Sequence, residues 1–238
     1  MSLPACLVAL LEPDTNVSEA EYNDWADNEH IPARLQLPAF QNCIRWKAVD
    51  RKKPSWATSY DLTSYEETLK PEYTALNANR SARELRVFGD VAMFERRVYE
   101  AYEGNVTKLP KPSALYDPAK PAPFAHFITM YPKPGAEEEI ERWYEEEHIP
   151  DMAKSFGGWI RSRRFILKDW LRGGKELLGD DASPPKFLAI HEYSHIEIAG
   201  NQEELNKFST EWTVKVLTEL NSKVEFRLFA MDKEFRKD

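Results

Sequence analysis

One phrase occurs twice in this chain. Trp25-Ala-Asp-Asn-Glu29-His30-Ile31-Pro32 returns as Trp143-Tyr-Glu-Glu-Glu147-His148-Ile149-Pro150, with Trp, Glu, His, Ile and Pro each repeated 118 positions on. A shared W-x-x-x-E-H-I-P in matching surroundings marks a duplicated unit, so whatever one half folds into must also serve the other. Between the copies, residues 105–124 carry Pro110, Pro112, Pro118, Pro121 and Pro123, a composition that predicts an extended linker. The chain therefore divides into a first half, 1–104, the Pro-rich linker, 105–124, and a second half, 125–238.

Both halves read in the same element order. A short apolar run, 5–11 or 125–131, predicts a buried strand, and a helix follows it into the Ile-Pro. Ser18-Glu-Ala-Glu21 opens the first of these helices as a capping box; Pro134-Gly135 and the acidic turn 137–139 open the second. Aromatic and β-branched runs at 40–49 and 55–62, matched by 159–168 and 186–193, predict a pair of strands in each half. A second helix (65–87, 202–220) and a last strand (90–99, 223–231) complete β-α-β-β-α-β twice, the order of a ferredoxin-like unit. Such a sheet carries its helices on one face and needs cover for the other, which the second copy supplies. The fold class expected is α+β: two ferredoxin-like repeats packed as an intramolecular pseudo-dimeric α+β barrel, a monomer in itself with further homodimerisation left open.

W-x-x-x-E-H-I-P on the first helix of such a half resembles the EthD-like branch of the dimeric α+β barrel superfamily, and the resemblance spans nearly the whole chain, twice. It implies a pocket between sheet and helices in each half. It also implies chemistry like that of cofactor-free monooxygenases, muconolactone isomerases, polyketide cyclases, and decarboxylases or dehydratases of aromatic polyketide pathways. Other branches of the superfamily bind haem through a histidine, but no motif here asks for it.

Composition excludes other classes. Lys and Arg number 32 against 40 Asp and Glu, a net charge of −8 that repels phosphate backbones, so no nucleic-acid partner is expected. No stretch approaches the roughly 20 apolar residues of a membrane helix, and 5–11 has no basic flank to make it a signal peptide. Cys6 and Cys43 form no C-x-x-C and read as small buried residues of a cytoplasmic protein. Neither a phosphate-binding loop nor a G-x-S-x-G is present.

The candidate chemistry lies in histidine. On a regular helix Tyr22, Trp25 and Glu29 share a face while His30 lies about 100° round from Glu29. Pro32 is expected to end or kink the helix, leaving His30 at a frayed terminus. There it either aims its ring into a cleft or caps the helix as a cation, and the same two readings hold for His148. His126, His148, His191 and His195 all fall in the second half, which directs the catalytic reading there. Alternation places Phe187, Ala189, His191 and Tyr193 on one strand face, where either His191 supplies acid/base chemistry and Tyr193 holds a phenol or enolate, or His191 is a histidine hydrogen-bonded between two sheets. Trp25 reads either as core or, with Trp143, as a wall of the substrate sites, and Arg45, matched by Arg163 at the same offset of 118, reads either as binding a substrate oxyanion or as pairing with acidic neighbours at the surface. His126, His148 and His191 with Glu147 or Glu192 are suitable metal ligands in kind, but no helical H-x-x-x-H supports a metal, and none is expected. The insertion 169–185, absent from the first half, reads as a lid or a surface excursion. Taken together the residues point to a cofactor-independent lyase or isomerase, a dehydratase, decarboxylase or cyclase, acting on a polyketide-like aromatic or enolisable small molecule by histidine acid/base chemistry. The alternatives are a cofactor-free monooxygenase of the same fold and a non-catalytic small-molecule-binding or stress-response module.

Overall fold

The computed structural model describes residues 2–175, 183–195 and 208–237. The chain forms two compact units: Met1–Ala101 with Leu167–Pro184 and Asp232–Asp238, and Tyr102–Ile166 with Pro185–Met231.

The first unit opens with β1 (Ala5–Glu12), whose apolar run is buried almost throughout. A helix follows in three parts: α1 (Glu19–Trp25), a π turn (Ala26–His30) and α2 (Ile31–Leu35). Next come β2 (Asn42–Ala48), β3 (Trp56–Leu62), a 3₁₀ turn (Glu66–Leu69), α3 (Pro71–Ala78), α4 (Ala82–Asp90) and β4 (Met93–Ala101). Its strands lie in the order β4-β1-β3-β2, all antiparallel, with Leu7 opposite both Tyr60 and Val98. The second helix, expected as one piece over 65–87, is divided. Pro71 starts α3 where its missing N–H costs nothing, and Ser81 ends the run and caps α4 by accepting the Glu84 N–H at 2.9 Å. Leu7, Trp25, Phe40, Trp56, Tyr60 and Val87 are among the side chains of its core.

The second unit repeats the plan. After a short helix α5 (Gly104–Thr107) come β5 (Phe124–Pro132), α6 (Glu137–Trp143), a π turn (Tyr144–His148) and α7 (Ile149–Ser155). They are followed by β6 (Trp159–Gly173), β7 (Phe187–Tyr193), α8 (Glu211–Thr218) and β8 (Asn221–Arg236). The order is β8-β5-β7-β6, again antiparallel, with His126 opposite His191. Of the helix expected over 202–220, residues 202–207 lie outside the described residues, and Thr210 caps the described part by accepting the Thr213 N–H at 3.0 Å. β6 and β8 run well past their expected ends, and their C-terminal stretches belong to the first unit, beside β4 and β2 respectively. Followed through these two continuous strands, the hydrogen-bonded order of neighbours is β1-β3-β2-β8-β5-β7-β6-β4, with β4 again beside β1.

The insertion 169–185 thus begins as strand, to Gly173, and turns at Gly174, whose φ of +101° and close approach to Ala92 exclude a side chain; 176–182 lie outside the described residues. The Pro-rich linker is docked rather than loose. Ser113 gives its N–H to the Ile160 carbonyl (2.8 Å) and its hydroxyl to that of Trp159 (2.7 Å), satisfying backbone at the start of β6. Cys6 and Cys43 are buried and not joined in a disulfide. No described helix is long and apolar enough to cross a membrane.

Candidate active site

In both halves the first helix continues through the Ile-Pro, by way of a π turn, instead of ending there. Trp25, Ala26, His30 and Ile31 all keep right-handed helical dihedrals, and the Ile31 N–H bonds the Ala26 carbonyl five residues back. Ile149 does the same with Tyr144. A proline in mid-helix lacks an N–H and crowds the preceding turn, and one inserted residue relieves both problems. The insertion also changes which face the histidine occupies. Five residues span about 140° of a regular α-helix; through the π turn Trp25 and His30 come together, ring centroids 4.3 Å apart, as do Trp143 and His148 at 4.3 Å. The imidazole is thereby turned inward rather than left at a frayed end.

The repeated glutamate has a different task. Glu29 accepts from the hydroxyl of Ser81, the N-cap of α4, and Glu147 accepts at 2.6 Å from Thr210, the N-cap of α8. It ties the first helix of each half to the start of the second.

Three residues beyond each cap the halves part. In the first unit that position is Glu84, whose Oε1 lies 2.8 Å from His30 Nδ1 and 3.6 Å from Arg34 Nη2. In the second it is Thr213, occupied by Trp143 Nε1 at 3.1 Å, and both ring nitrogens of His148 are buried with no hydrogen-bond partner. Burial lowers the His30 imidazole to about 3, with the Arg34 charge adding to it and Glu84 opposing. Burial also resists ionisation of Glu84, but the His30 hydrogen bond and the Arg34 and Arg80 charges outweigh it and hold this carboxyl below its ordinary value. An ionised Glu84 fixes the proton of neutral His30 on Nδ1, leaving Nε2 as the basic atom.

That ring lines a small cleft, partly open to solvent, with Tyr60, Phe88, Phe94, Arg80 and Arg96 among its walls. Arg80 lies over Phe88 at 4.8 Å and Arg96 is bonded to Asp169, but the Nε atoms of both arginines are buried without a partner. The cleft therefore brings together a base with a carboxylate behind it, aromatic walls and two unspent N–H donors.

The second unit gathers three of the histidines singled out in the sequence without a carboxylate partner for His148. His148 and His191 are 5.6 Å apart between ring centroids, edge to face; His191 Nδ1 is 2.7 Å from Ser162 Oγ, and its Nε2 has no partner. His126 shares the His191 face across the β5–β7 register, and its ring is 5.9 Å from Phe226. His148 is lowered to about 3 by burial and then by His126, and burial pushes His191 well below its ordinary value, with His148, His126 and Arg164 adding to it. Tyr193 is buried against Phe156 at 5.3 Å, and burial raises its phenol. Arg163 lies on the opposite strand face from His191 and bonds Glu192 at 2.9 Å, as Arg161 does at 2.7 Å. Arg45 is held by Asp27 and, at 2.6 Å, by Asp232. By register its counterpart is Arg164 and not Arg163: Arg45 faces Thr58 and Arg164 faces Ala189, because a bulge between Trp159 and Arg161 adds one residue. Among the described residues no group of three or more His, Cys, Asp or Glu is placed to hold a metal ion.

Sequence reasoning missed Glu84, although Ser81-x-x-Glu84 is itself a capping-box pattern. It also missed Arg80 and Arg96, for which no motif gives a signal.

No protein family and no curated protein sequence matches the chain. Solved structures do. It is similar to an anthrone oxidase-like protein (8% identity, 99% of this chain and 94% of that one, TM-score 0.61). It is similar to a candidate monooxygenase from Fusobacterium nucleatum (11%, 99% and 95%, TM-score 0.56). A third likeness is to a mutant chlorite dismutase from Candidatus Nitrospira defluvii (11%, 98% and 92%, TM-score 0.57). At such identities the likeness shows the fold alone, an α+β barrel over nearly the full length of each chain.

Proposed function

We propose that this chain is a cofactor-independent enzyme that takes a proton from an enolisable or phenolic aromatic small molecule, with His30 as the base. The observation that carries the reading is the His30–Glu84 pair, 2.8 Å apart, at the wall of an aromatic cleft. A ligand C–H or O–H breaks toward His30 Nε2, and its electron pair moves onto the ligand oxygen. Glu84 then faces an imidazolium, while the Nε–H groups of Arg80 and Arg96 supply donors for the oxyanion. Burial makes His30 weakly basic, and an anion forming beside it raises that basicity. In the lyase or isomerase reading the proton returns from Nε2 to a leaving hydroxyl or to another carbon. The monooxygenase reading shares the first step and sends the carbanion to dioxygen; the anthrone oxidase-like and candidate monooxygenase neighbours favour keeping it. We also read the halves, 1–104 and 125–238, as ferredoxin-like repeats of the EthD-like kind, supported by the repeated W-x-x-x-E-H-I-P and by the same fourth-first-third-second strand order in each.

The test is deuterium incorporation. A panel of hydroxyaromatic ketones, anthrones and β-diketones is incubated with the protein in heavy water and followed by NMR, which reads the shared step whatever comes after it. Exchange above background in at least one compound supports the proposal, and none across the panel contradicts it. Oxygen consumption in the active mixture assigns the monooxygenase reading, and its absence the lyase or isomerase reading.

A further inference from the structure

Arg164 is a buried cation with no ion pair within 4 Å among the described residues, and the Glu141 and Glu145 carboxylates act on it only from farther off. It is 3% exposed, its guanidinium makes no hydrogen bond or ion pair among the described residues, and Nη1 is enclosed without a partner. Arg45, at the same register position in the first unit, is equally buried but is held by Asp27 and Asp232. The residue matching Asp27 at the repeat offset is Glu145, whose carboxylate makes no direct pair with Arg164 and instead accepts from the Tyr102 hydroxyl and pairs with Lys108 at 3.2 Å. The groups packed directly on the guanidinium are rings: Tyr144 at 4.3 Å, Tyr102 at 4.6 Å and Phe187 at 5.8 Å from its central carbon. Ring faces stabilise a cation but accept nothing from its in-plane N–H groups, so the hydrogen-bonding edge of the guanidinium stays unsatisfied. Burying such a group unpaired is costly, and an anion that binds in the folded state removes the cost. Beyond it, through Tyr144, stand the unpartnered ring nitrogens of His148 and His191, which add neutral polar groups to the same cluster.

We propose that the second unit holds an anion site, separate from the His30 cleft, in which Arg164 takes the carboxylate of a small aromatic acid edge-on. A planar carboxylate matches the guanidinium fork, and the three rings suit an aromatic body. Of these rings Tyr102 is the half-buried one, which makes it the wall a ligand passes.

Benzoate is the probe, with benzamide as its neutral counterpart. In the ¹H–¹⁵N spectrum of the full chain the Arg164 Nε–H signal is identified by its loss in Arg164→Met, or in Arg164→Lys if the first variant does not fold. The proposal expects this signal to move saturably with benzoate and not with benzamide, and benzoate affinity at the site to fall at least tenfold in Arg164→Lys, which keeps the charge but not the fork. His30→Gln leaves the titration unchanged, which separates this site from the cleft of the first unit. An Arg164 signal indifferent to benzoate, or one that follows benzamide equally, overturns the proposal.

Discussion

Replacing His148 by glutamine tests whether the inward-turned imidazole is kept neutral by the fold. Both its nitrogens are closed off, Trp143 stacks on it at 4.3 Å, and burial lowers it to about 3. An unfolded histidine titrates near 6.5, so between about pH 6.5 and 3 the unfolded chain binds a proton here that the folded chain refuses. Stability is therefore complete above the unfolded value, falls as pH drops through it, and goes on falling until the folded value is reached. At pH 5 the deficit is about 1.5 pH units at roughly 1.4 kcal/mol each, or about 2 kcal/mol at most; at pH 8 it vanishes. Glutamine keeps polar atoms at the site but does not titrate. Urea unfolding of both proteins at pH 8 and pH 5 gives the comparison. The wild type should lose about 2 kcal/mol more than His148→Gln on acidification. Losses equal within about 0.5 kcal/mol would mean that the ring protonates as freely in the fold as outside it, and the reasoning about its burial would fail.

Two further stability comparisons follow from matched positions. Arg45→Met removes the partner of Asp232 and one of two partners of Asp27, which keeps Lys233, and should cost about 1 to 2 kcal/mol in urea unfolding, whereas Arg164→Met removes a buried charge with no direct pair and should be neutral or stabilising in the absence of ligand. Ser81→Ala and Thr210→Ala each delete an N-cap that also holds the glutamate of the repeated motif, and each should lower stability by about 1 to 2 kcal/mol by the same assay.

The element order was legible because the repeat let each half check the other: 5–11 and 125–131 are weak strand signals singly, yet both become strands at matching places. What escaped was any departure from regular periodicity. A 3.6-residue period places His30 and His148 away from their tryptophans, and only an inserted residue, forced by Pro32 and Pro150, brings them in. One extra residue near Trp159 likewise moved the partner of Arg45 from Arg163 to Arg164 and reversed its strand face. The excess of histidines in the second half directed attention there, because counting titratable residues does not reveal which of them meets a carboxylate; Glu84 meets His30 through a helix cap 52 residues from Glu29. Apolar patterning fixes strands and helices locally, whereas that pair depends on how two helices dock.

A proton that moves at His30 with Glu84 behind it is tested at its source by the deuterium-exchange rate of a responsive substrate in His30→Gln beside His148→Gln. Exchange should fall roughly 10²-fold or more in His30→Gln, the scale of losing a general base, and change within a few fold in His148→Gln. Full exchange in His30→Gln, or the larger loss in His148→Gln, would contradict His30 as the base.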